Sequence, residues 1–456
     1  MGRTIATRWS TTGLVAAAML GVYALVMLGA ALSVGDALAN CAGWPTCDGR
    51  WIVAPDDPAA IAMAHRLLAI LVGLILLAAV IQAFRADTSR RVRWLLLFAL
   101  VLFPAQGLLG RYVALGMEAG PPSWLHLGGG IAIFSMLVVS LAWLLESKYV
   151  PLACALSREI ETSQDPSLGG TSVIRAYIEL TKPRLMWLLC LVAAAGMALA
   201  AGPALDVVTI VATLGGGVLA IGASGTFNHV LERDIDRRMA RTADRPIATD
   251  QIPVRNAIGF GVTLVALSMA VLLIFVNVVA AALTLAAVAF YSVVYTLVLK
   301  PNTVQNTAIG GVAGALPALI GWAAVTGGIH VPGLVLALVV FCWTPAHFYN
   351  LAMAYREDYA AGGFPMLPVV RGDRVAKRHV VYWAGATMIM AAALATTATL
   401  GVLYALVGLV AAAGFVYMIF QLHHRSDRQT AIRTFHASNA YLGMLLVIVV
   451  IDALLL

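Results

Sequence analysis

The sequence predicts an all-α, polytopic membrane protein with about 13 transmembrane helices. Of its 456 residues, 61% are hydrophobic and 11% are charged, whereas soluble domains contain about 25% charged residues. A hydrocarbon core of about 30 Å takes roughly 20 helical residues to cross, so a hydrophobic share of this size suffices for about thirteen crossings. The same composition excludes an intrinsically disordered chain, a coiled coil and a disulfide-rich secreted scaffold.

Apolar runs of spanning length form a group of four and a group of nine. The first group lies at about 12–33, 59–84, 94–116 and 123–145. The second group lies at about 185–201, 208–230, 256–276, 279–299, 303–325, 332–353, 379–400, 402–421 and 435–455. The polar stretch between the groups is typical of a linker. We therefore predict domains at 1–146 and 175–456, joined by a cytoplasmic linker at 147–174.

Lysine and arginine residues orient the chain in the membrane. With a cytoplasmic N-terminus, 26 of the 29 Lys and Arg residues fall on the inner side, and only Arg50, Arg66 and Arg111 fall outside. Such an excess is typical of cytoplasmic loops. We expect a multi-pass protein of the cell membrane with its N-terminus in the cytoplasm and its C-terminus outside. The net charge of +7 then reflects these loops, and no nucleic-acid partner is expected.

The sixth span ends in three polar side chains at helical spacing, Asn228, Glu232 and Asp236. At 100° per residue they share one arc of a helix at its cytoplasmic end. Carboxylate and amide oxygens suit Mg²⁺, which takes one or two protein carboxylates and completes its shell with water and phosphate oxygens. The alternative is a solvated helix end held by salt bridges. Polar groups at membrane depth are costly, which favours a functional role.

Basic clusters flank this set. Lys182 and Arg184 precede the fifth span, and Arg241 and Arg245 follow the acidic residues. Fixed cations beside a metal site neutralise a polyanion, as a diphosphate leaving group requires. Taken alone, each cluster is equally typical of a positive cytoplasmic loop.

A second polar segment follows the tenth span, from Trp343 to Gly372. It places Asp358 as a further carboxylate on the cytoplasmic rim. Its Gly363-Phe364-Pro365 and Leu367-Pro368 turns predict a loop that can close over a site.

In the first group, His65 opens the second span and His126 opens the fourth. Both spans run inward, so the two imidazoles lie at similar depth, which is the arrangement for bis-His heme ligation in a four-helix bundle. Two unrelated histidines at helix starts are an equally good interpretation. Arg66 and Arg111 lie at the same level and could pair with heme propionates.

The outer loop after the first span contains Cys41 and Cys47. Two cysteines six residues apart on the oxidising side favour a disulfide.

The residues from Thr181 to Arg184, the Asn228/Glu232/Asp236 set with its following arginines, and the segment from Trp343 to Gly372 resemble the heme O synthase family. This family, also called protoheme IX farnesyltransferases, is a nine-helix branch of the intramembrane prenyltransferases, and the resemblance covers about residues 173–456. It implies Mg²⁺-dependent transfer of a farnesyl group from farnesyl diphosphate to a vinyl group of heme b, giving heme O for terminal oxidases. The implied metal ligands and catalytic residues are Asn228, Glu232, Asp236 and Asp358. The implied diphosphate partners are Lys182, Arg184, Arg241, Arg245 and Lys300. His347 is either a heme contact or a buried histidine satisfied by a neighbour.

The cysteine loop, the segments around His65 and His126, and Gln106 with Leu109–Val113 resemble one half of the heme A synthase family. That family has two such four-helix halves, and only one is present here, over about residues 12–146. The resemblance implies a module that binds heme b or heme O and receives or oxidises the product. The family has a glutamate three residues before the first histidine, where this chain has Ala62. A second copy of the chain, or a heme A synthase, would supply the missing half.

Two alternatives remain. Intramembrane polar segments also mark transport paths, so a polytopic heme carrier is the second hypothesis. The third keeps prenyl transfer but replaces heme with a quinone precursor as acceptor, against which the Trp343–Gly372 segment argues.

Overall fold

The computed structural model describes residues 10–34, 41–115, 121–147 and 173–455, apart from single positions at 42, 48, 55, 58, 399 and 426. The described residues contain no β-strand. Thirteen of their helices are long and apolar enough to cross a membrane. The all-α fold class and the number of spans are therefore confirmed, and the chain is a multi-pass membrane protein.

Residue contacts group the chain into two units. The first unit contains α1 (Thr11–Val34), α2 (Ala60–Arg85), α3 (Arg90–Ala114), α4 (Pro121–Ser147) and the later segment Val381–Phe420. Each of the four helices packs against the next one, and α1 also packs against α4. This cyclic order of contacts is that of a four-helix bundle.

The described part of the second unit begins at Val173, and most of the predicted linker lies outside the described residues. Its helices are α5 (Val173–Leu180), α6 (Pro183–Ala201), α7 (Val207–Leu231), α8 (Arg233–Asp236), α9 (Val254–Phe275), α10 (Val278–Ala289), α11 (Lys300–Asn302), α12 (Asn306–Thr326), α13 (Val331–Ala354), α14 (Arg356–Ala361) and α17 (Arg428–Leu455). A π-helical segment, Phe290–Leu299, joins α10 to α11. Two further helices, α15 (Leu367–Thr397) and α16 (Val402–Arg425), are divided between the units.

Close packing of α6 on α12 depends on glycine. A Cβ atom at Gly196 would lie 2.4 Å from the carbonyl oxygen of Ala318, and one at Gly321 would lie 2.0 Å from that of Ala193. Helices in a membrane associate through such small-residue contacts, because lipid tails are as apolar as the helix surface. No larger residue fits at either position without separating the two helices.

One prediction about the second polar segment is wrong. The expected loop at Gly363–Gly372 is limited to residues 362–366, because α15 already begins at Leu367. Proline fits the first turn of a helix, where its missing N–H group has no partner to lose. Beyond Leu367 the backbone departs from helical geometry only at Gly372, whose φ of 78° and ψ of 164° interrupt α15.

Candidate functional site

Asn228, Glu232 and Asp236 lie on a compact turn after α7, which we call the acidic turn. The expectation of one continuous helix is wrong, because α7 ends at Leu231 and Glu232 adopts φ −97° and ψ 5° before α8. The backbone N–H of Asp236 still donates to the carbonyl of Glu232 at 2.7 Å. All three side chains are buried, whereas the side chain of Asp234 between them is 84% exposed.

Three cations pair one to one with the side chains of the acidic turn. Lys182 Nζ donates to Asn228 Oδ1. Lys300 Nζ donates to Glu232 Oε1 at 2.5 Å, and both side chains of this pair are largely buried. These two contacts join residues that are far apart in the sequence.

Arg245 forms the third pair, in which its Nη1 donates to both carboxylate oxygens of Asp236 at 2.8 Å. Thr242 Oγ1 also donates to the backbone carbonyl of Asp236 at 3.1 Å, which holds the segment after α8 against the turn. The structure therefore brings three of the expected diphosphate partners to the acidic turn.

Local backbone geometry places Lys182. Its φ of 54° and ψ of 55° are left-handed, which costs a residue other than glycine about 1–2 kcal/mol. Helix α7 approaches the turn that carries Lys182 closely at Gly225. A Cβ atom at Gly225 would lie 2.8 Å from the carbonyl oxygen of Leu180. Strained residues of this kind cluster at functional sites.

Burial and neighbouring charges shift the pKa values of the site. Burial, followed by the charge of Arg245, lowers the pKa of Lys182 to about 7. Burial acts to raise the pKa of Glu232, but Lys300 and Lys182 together hold it below its usual value. Burial raises the pKa of Asp236 despite its contact with Arg245. The ionisation of each group therefore depends on the others.

The π-helical segment contributes residues to the site that the sequence did not predict. Asn228 Nδ2 donates to Thr296 Oγ1 at 3.2 Å, and Thr296 Oγ1 donates to the carbonyl of Tyr291, five residues earlier, at 2.9 Å. Tyr291 and Tyr295 stack with ring centroids 5.6 Å apart. π-Helical turns are rare and occur frequently at functional sites. The spacing of the two tyrosines within an apolar run was the available signal.

Among the described residues, the remaining candidates of the second unit form no hydrogen bond or ion pair with the side chains of the acidic turn. Asp358 is half-buried on α14, and Arg184 is exposed at the start of α6. Arg241 lies over two tyrosine rings, with its Cζ 4.8 Å from the centroid of Tyr355 and 5.4 Å from that of Tyr359. Within the described ranges, no three His, Cys, Asp or Glu side chains converge as a metal-binding group.

Protein contacts account for the position of His347. Its Nδ1 lies 2.9 Å from Ser438 Oγ, and its ring lies 4.2 Å from the rings of both Trp343 and Phe435. These contacts match the packing role considered for this residue, and its heme contact stays a prediction.

An elongated apolar cavity adjoins Lys182. It has a volume of about 830 Å³, which includes the space at its open side, and α6, α7, α10 and α12 form its walls. Along α6 its lining extends from Lys182 to Ala193, which at about 1.5 Å per residue is about 16 Å. Tyr291 and Gly225 also line it. The charged cluster at one end and the apolar walls beyond it suit a long apolar chain that carries a polyanionic group.

In the four-helix bundle, His65 and His126 are close enough to interact electrostatically. The Nδ1 atoms of both are buried without a hydrogen-bond partner. Glycines of the neighbouring helices pack on the rings: a Cβ at Gly29 would lie 3.5 Å from His65 Cε1, and one at Gly110 would lie 3.2 Å from His126 Cε1.

The outer loop of the bundle is held by a disulfide between Cys41 and Cys47. Arg66 Nη1 donates to two backbone carbonyls of this loop at 2.9 and 3.3 Å. Arg111 lies over the ring of Trp44, with its Cζ 5.7 Å from the centroid. Both arginines therefore contact the disulfide loop, and their pairing with propionates stays a prediction.

Family models match both parts of the chain. The model of the UbiA prenyltransferase family matches residues 188–445. A model described as cytochrome oxidase assembly protein matches residues 57–174. The second match overlaps the four-helix bundle from its second helix onward.

Similar proteins carry one common name. The chain is 52% identical to protoheme IX farnesyltransferase of Halobacterium salinarum over 460 residues, which covers 100% of both chains. It is 54% identical to protoheme IX farnesyltransferase 1 of Natronomonas pharaonis, over 97% of this chain and 98% of that protein. A solved structure of digeranylgeranylglyceryl phosphate synthase has a TM-score of 0.50 at 18% identity and covers 62% of this chain and 99% of its own. That likeness concerns the fold alone.

Proposed function

The chain belongs to the UbiA prenyltransferase family and, within it, to the protoheme IX farnesyltransferases, and on this basis we propose how it acts. It transfers a farnesyl group from farnesyl diphosphate to a vinyl group of heme b and thereby produces heme O. The apolar cavity beside Lys182 is the main support for where the substrates bind. The farnesyl chain lies in this cavity, with its diphosphate among the cations that pair with the acidic turn.

Mg²⁺ is the proposed cofactor, and the acidic turn fits it chemically. Glu232 and Asp236 provide two carboxylates, and Asn228 provides an amide oxygen that pairs with Lys182, a residue of the cavity lining. Hard oxygen donors in this number, with phosphate oxygens completing the shell, are what Mg²⁺ prefers. When bound, Mg²⁺ neutralises the diphosphate and makes it a better leaving group. Asp358 remains the proposed fourth ligand, from its half-buried position on α14.

The chemistry begins with ionisation of the allylic carbon–oxygen bond, whose electron pair leaves with the diphosphate. Lys182, Lys300 and Arg245 stabilise the negative charge that develops on the leaving group. The ring of Tyr291, which lines the cavity, presents a face that stabilises the allylic cation. The terminal vinyl carbon of heme b then forms the new carbon–carbon bond. Water adds to the adjacent carbon and releases one proton to solvent.

The test of this proposal uses the full-length protein with heme b, farnesyl diphosphate and Mg²⁺. Heme O should form, and both chelation of the metal and Asp236→Asn should abolish its formation. Asp234→Asn is the matched control, because the Asp234 carboxylate is exposed and should be dispensable. Full activity of Asp236→Asn, or after chelation, would remove the metal role of the acidic turn.

For the N-terminal module we propose heme binding by His65 and His126, with heme b or heme O as the ligand. The buried, unpartnered Nδ1 atoms and the glycines against both rings support this role. When bound, the heme provides a redox centre, while the two imidazoles hold its iron. Because Ala62 stands where the heme A synthase family has glutamate, we expect heme O and not heme A to accumulate when the chain is expressed alone.

We also propose the membrane orientation. The N-terminus lies in the cytoplasm, so that the acidic turn faces the cytoplasm and the disulfide loop faces outside. The asymmetry of Lys and Arg supports it. Cysteine-accessibility labelling of single-cysteine variants in right-side-out vesicles tests this orientation. Labelling of the disulfide loop only from the inside would contradict it.

A further inference from the structure

A row of cationic and aromatic side chains leads away from the acidic turn. Lys300 Nζ lies 4.3 Å from the ring centroid of Phe364, and that ring lies 6.4 Å from the ring of Tyr359. The ring of Tyr359 in turn lies 5.4 Å from Arg241 Cζ. This row therefore connects the proposed diphosphate site to a second cationic group.

The row ends in two arginines that share one tyrosine ring, Arg241, Tyr355 and Arg428, which we call the arginine clamp. The Cζ atoms of Arg241 and Arg428 lie 4.8 and 5.0 Å from the ring centroid of Tyr355. Their separation cannot exceed the sum of these distances, about 9.8 Å. Arg428 Nε donates to the carbonyl of Ala354 at 3.2 Å, which fixes the guanidinium group. Both arginines are exposed.

The clamp differs from other arginines of this region in its partners. Four of these pair directly with an aspartate, namely Arg233, Arg237, Arg245 and Arg356. In the part of the chain that the structure describes, neither clamp arginine forms an ion pair with a carboxylate. The charge of Asp358 influences Arg241 electrostatically, without forming an ion pair with it. Arg428 Nε donates to the carbonyl of Ala354 and Arg241 Nη2 donates to Tyr359 Oη at 3.4 Å. Among the described residues no carboxylate pairs with the remaining N–H groups of either guanidinium group, so the clamp can bind a carboxylate ligand through them.

We propose that the arginine clamp binds the two propionates of heme b, an inference that rests on the proposed function. A planar guanidinium group matches a carboxylate with two parallel hydrogen bonds, and two of them match a dianion. In heme b the propionates lie on the edge of the macrocycle opposite the vinyl groups. Propionates held at the clamp therefore direct a vinyl group back along the row, toward the diphosphate site. The rings of Tyr359 and Phe364 lie along this path.

The test compares heme b with its dimethyl ester, in which both propionates are uncharged. With the full-length enzyme, we expect kcat/KM for heme b to exceed that for the ester by at least about tenfold, the usual weight of hydrogen bonds to charged groups. Arg428→Gln should raise KM for heme b and reduce this preference by about tenfold. It should leave KM for farnesyl diphosphate unchanged. Arg433→Gln, an exposed arginine on the same helix, is the matched control and should leave the preference intact.

The possible results distinguish failure of the clamp from failure of the proposed function. The clamp is overturned if Arg428→Gln prefers heme b over its dimethyl ester as strongly as the unmodified enzyme does. It is also overturned if the unmodified enzyme uses heme b and the ester equally well. If Arg428→Gln is inactive with both substrates, Arg428→Lys decides: an intermediate preference supports the clamp, and a full preference refutes it. Failure of the unmodified enzyme to convert heme b at all would overturn the proposed function instead.

Discussion

The contact between Gly225 and the turn before α6 makes a quantitative prediction. Gly225→Ala places a Cβ atom 2.8 Å from the carbonyl oxygen of Leu180, whereas ordinary contact begins at 3.4 Å. The obstacle is backbone, so no side-chain rotation relieves it, and the turn that carries Lys182 must retreat by about 0.6 Å. A displacement of 1 Å in a catalytic group can cost about 100-fold in rate. We therefore expect kcat for farnesyl transfer to fall by roughly tenfold.

Stability separates this effect from simple misfolding. Alanine gains about 1 kcal/mol over glycine in a helix, while overpacking costs about 1–3 kcal/mol, so Gly225→Ala should be destabilised by about 2 kcal/mol at most. Gly215→Ala on the same helix is the control, because nothing lies within 4 Å of its Cβ position. It should be at least as stable as the unmodified protein and fully active. Equal rates of heme O formation in the two variants would refute the reasoning.

Three further predictions concern other parts of the chain. Alkylation of the native membrane protein should modify neither Cys41 nor Cys47 until a reductant is added; quantitative labelling without reductant would contradict the disulfide. His65→Ala combined with His126→Ala should abolish a low-spin heme spectrum yet leave farnesyl transfer within about twofold of normal, since the two sites belong to separate modules. Loss of transfer in a folded double variant would mean that the first module takes part in it. Tyr291→Leu should lower kcat by about fivefold through loss of the ring face, while Tyr291→Phe should not, and equal rates in both would exclude a cation–π role.

Hydropathy and residue type were enough to predict the spans and most of the acidic turn. Each span needs only local apolar length, so the thirteen spans could be located without knowing their neighbours. The carboxylates of Glu232 and Asp236 could likewise be found, because ionisable groups at membrane depth are rare enough to attract attention. What the local pattern could not provide was the break after Leu231, since a 3.6-residue period continues through it.

The side chains that pair with these residues could not be predicted from local sequence patterns. Lys300 reaches Glu232 across 68 positions, and Arg428 contributes to the clamp from the last helix. Such pairings depend on how helices associate, and no periodicity encodes them. Asp358 lies half-buried on α14, and its role as a metal ligand stays a prediction. Arg184 is exposed in the first turn of α6, and its role as a diphosphate partner also stays a prediction.

The π-helical segment makes the catalytic site sensitive to the number of residues as well as to their identity. In an α-helix each residue turns the chain by about 100° and each backbone N–H donates to the carbonyl four residues earlier. Here the backbone N–H of Lys300 donates to the carbonyl of Tyr295, five residues earlier. Deletion of one residue between Phe290 and Leu299 would let the segment return to α-helical winding with little loss of backbone hydrogen bonding. Everything beyond it would then turn by about 100° relative to Tyr291, and Lys300 would point away from Glu232. A surface loop tolerates the insertion or deletion of one residue. In the π-helical segment the same change would move Lys300 away from the diphosphate, although the sequence would still contain every catalytic residue.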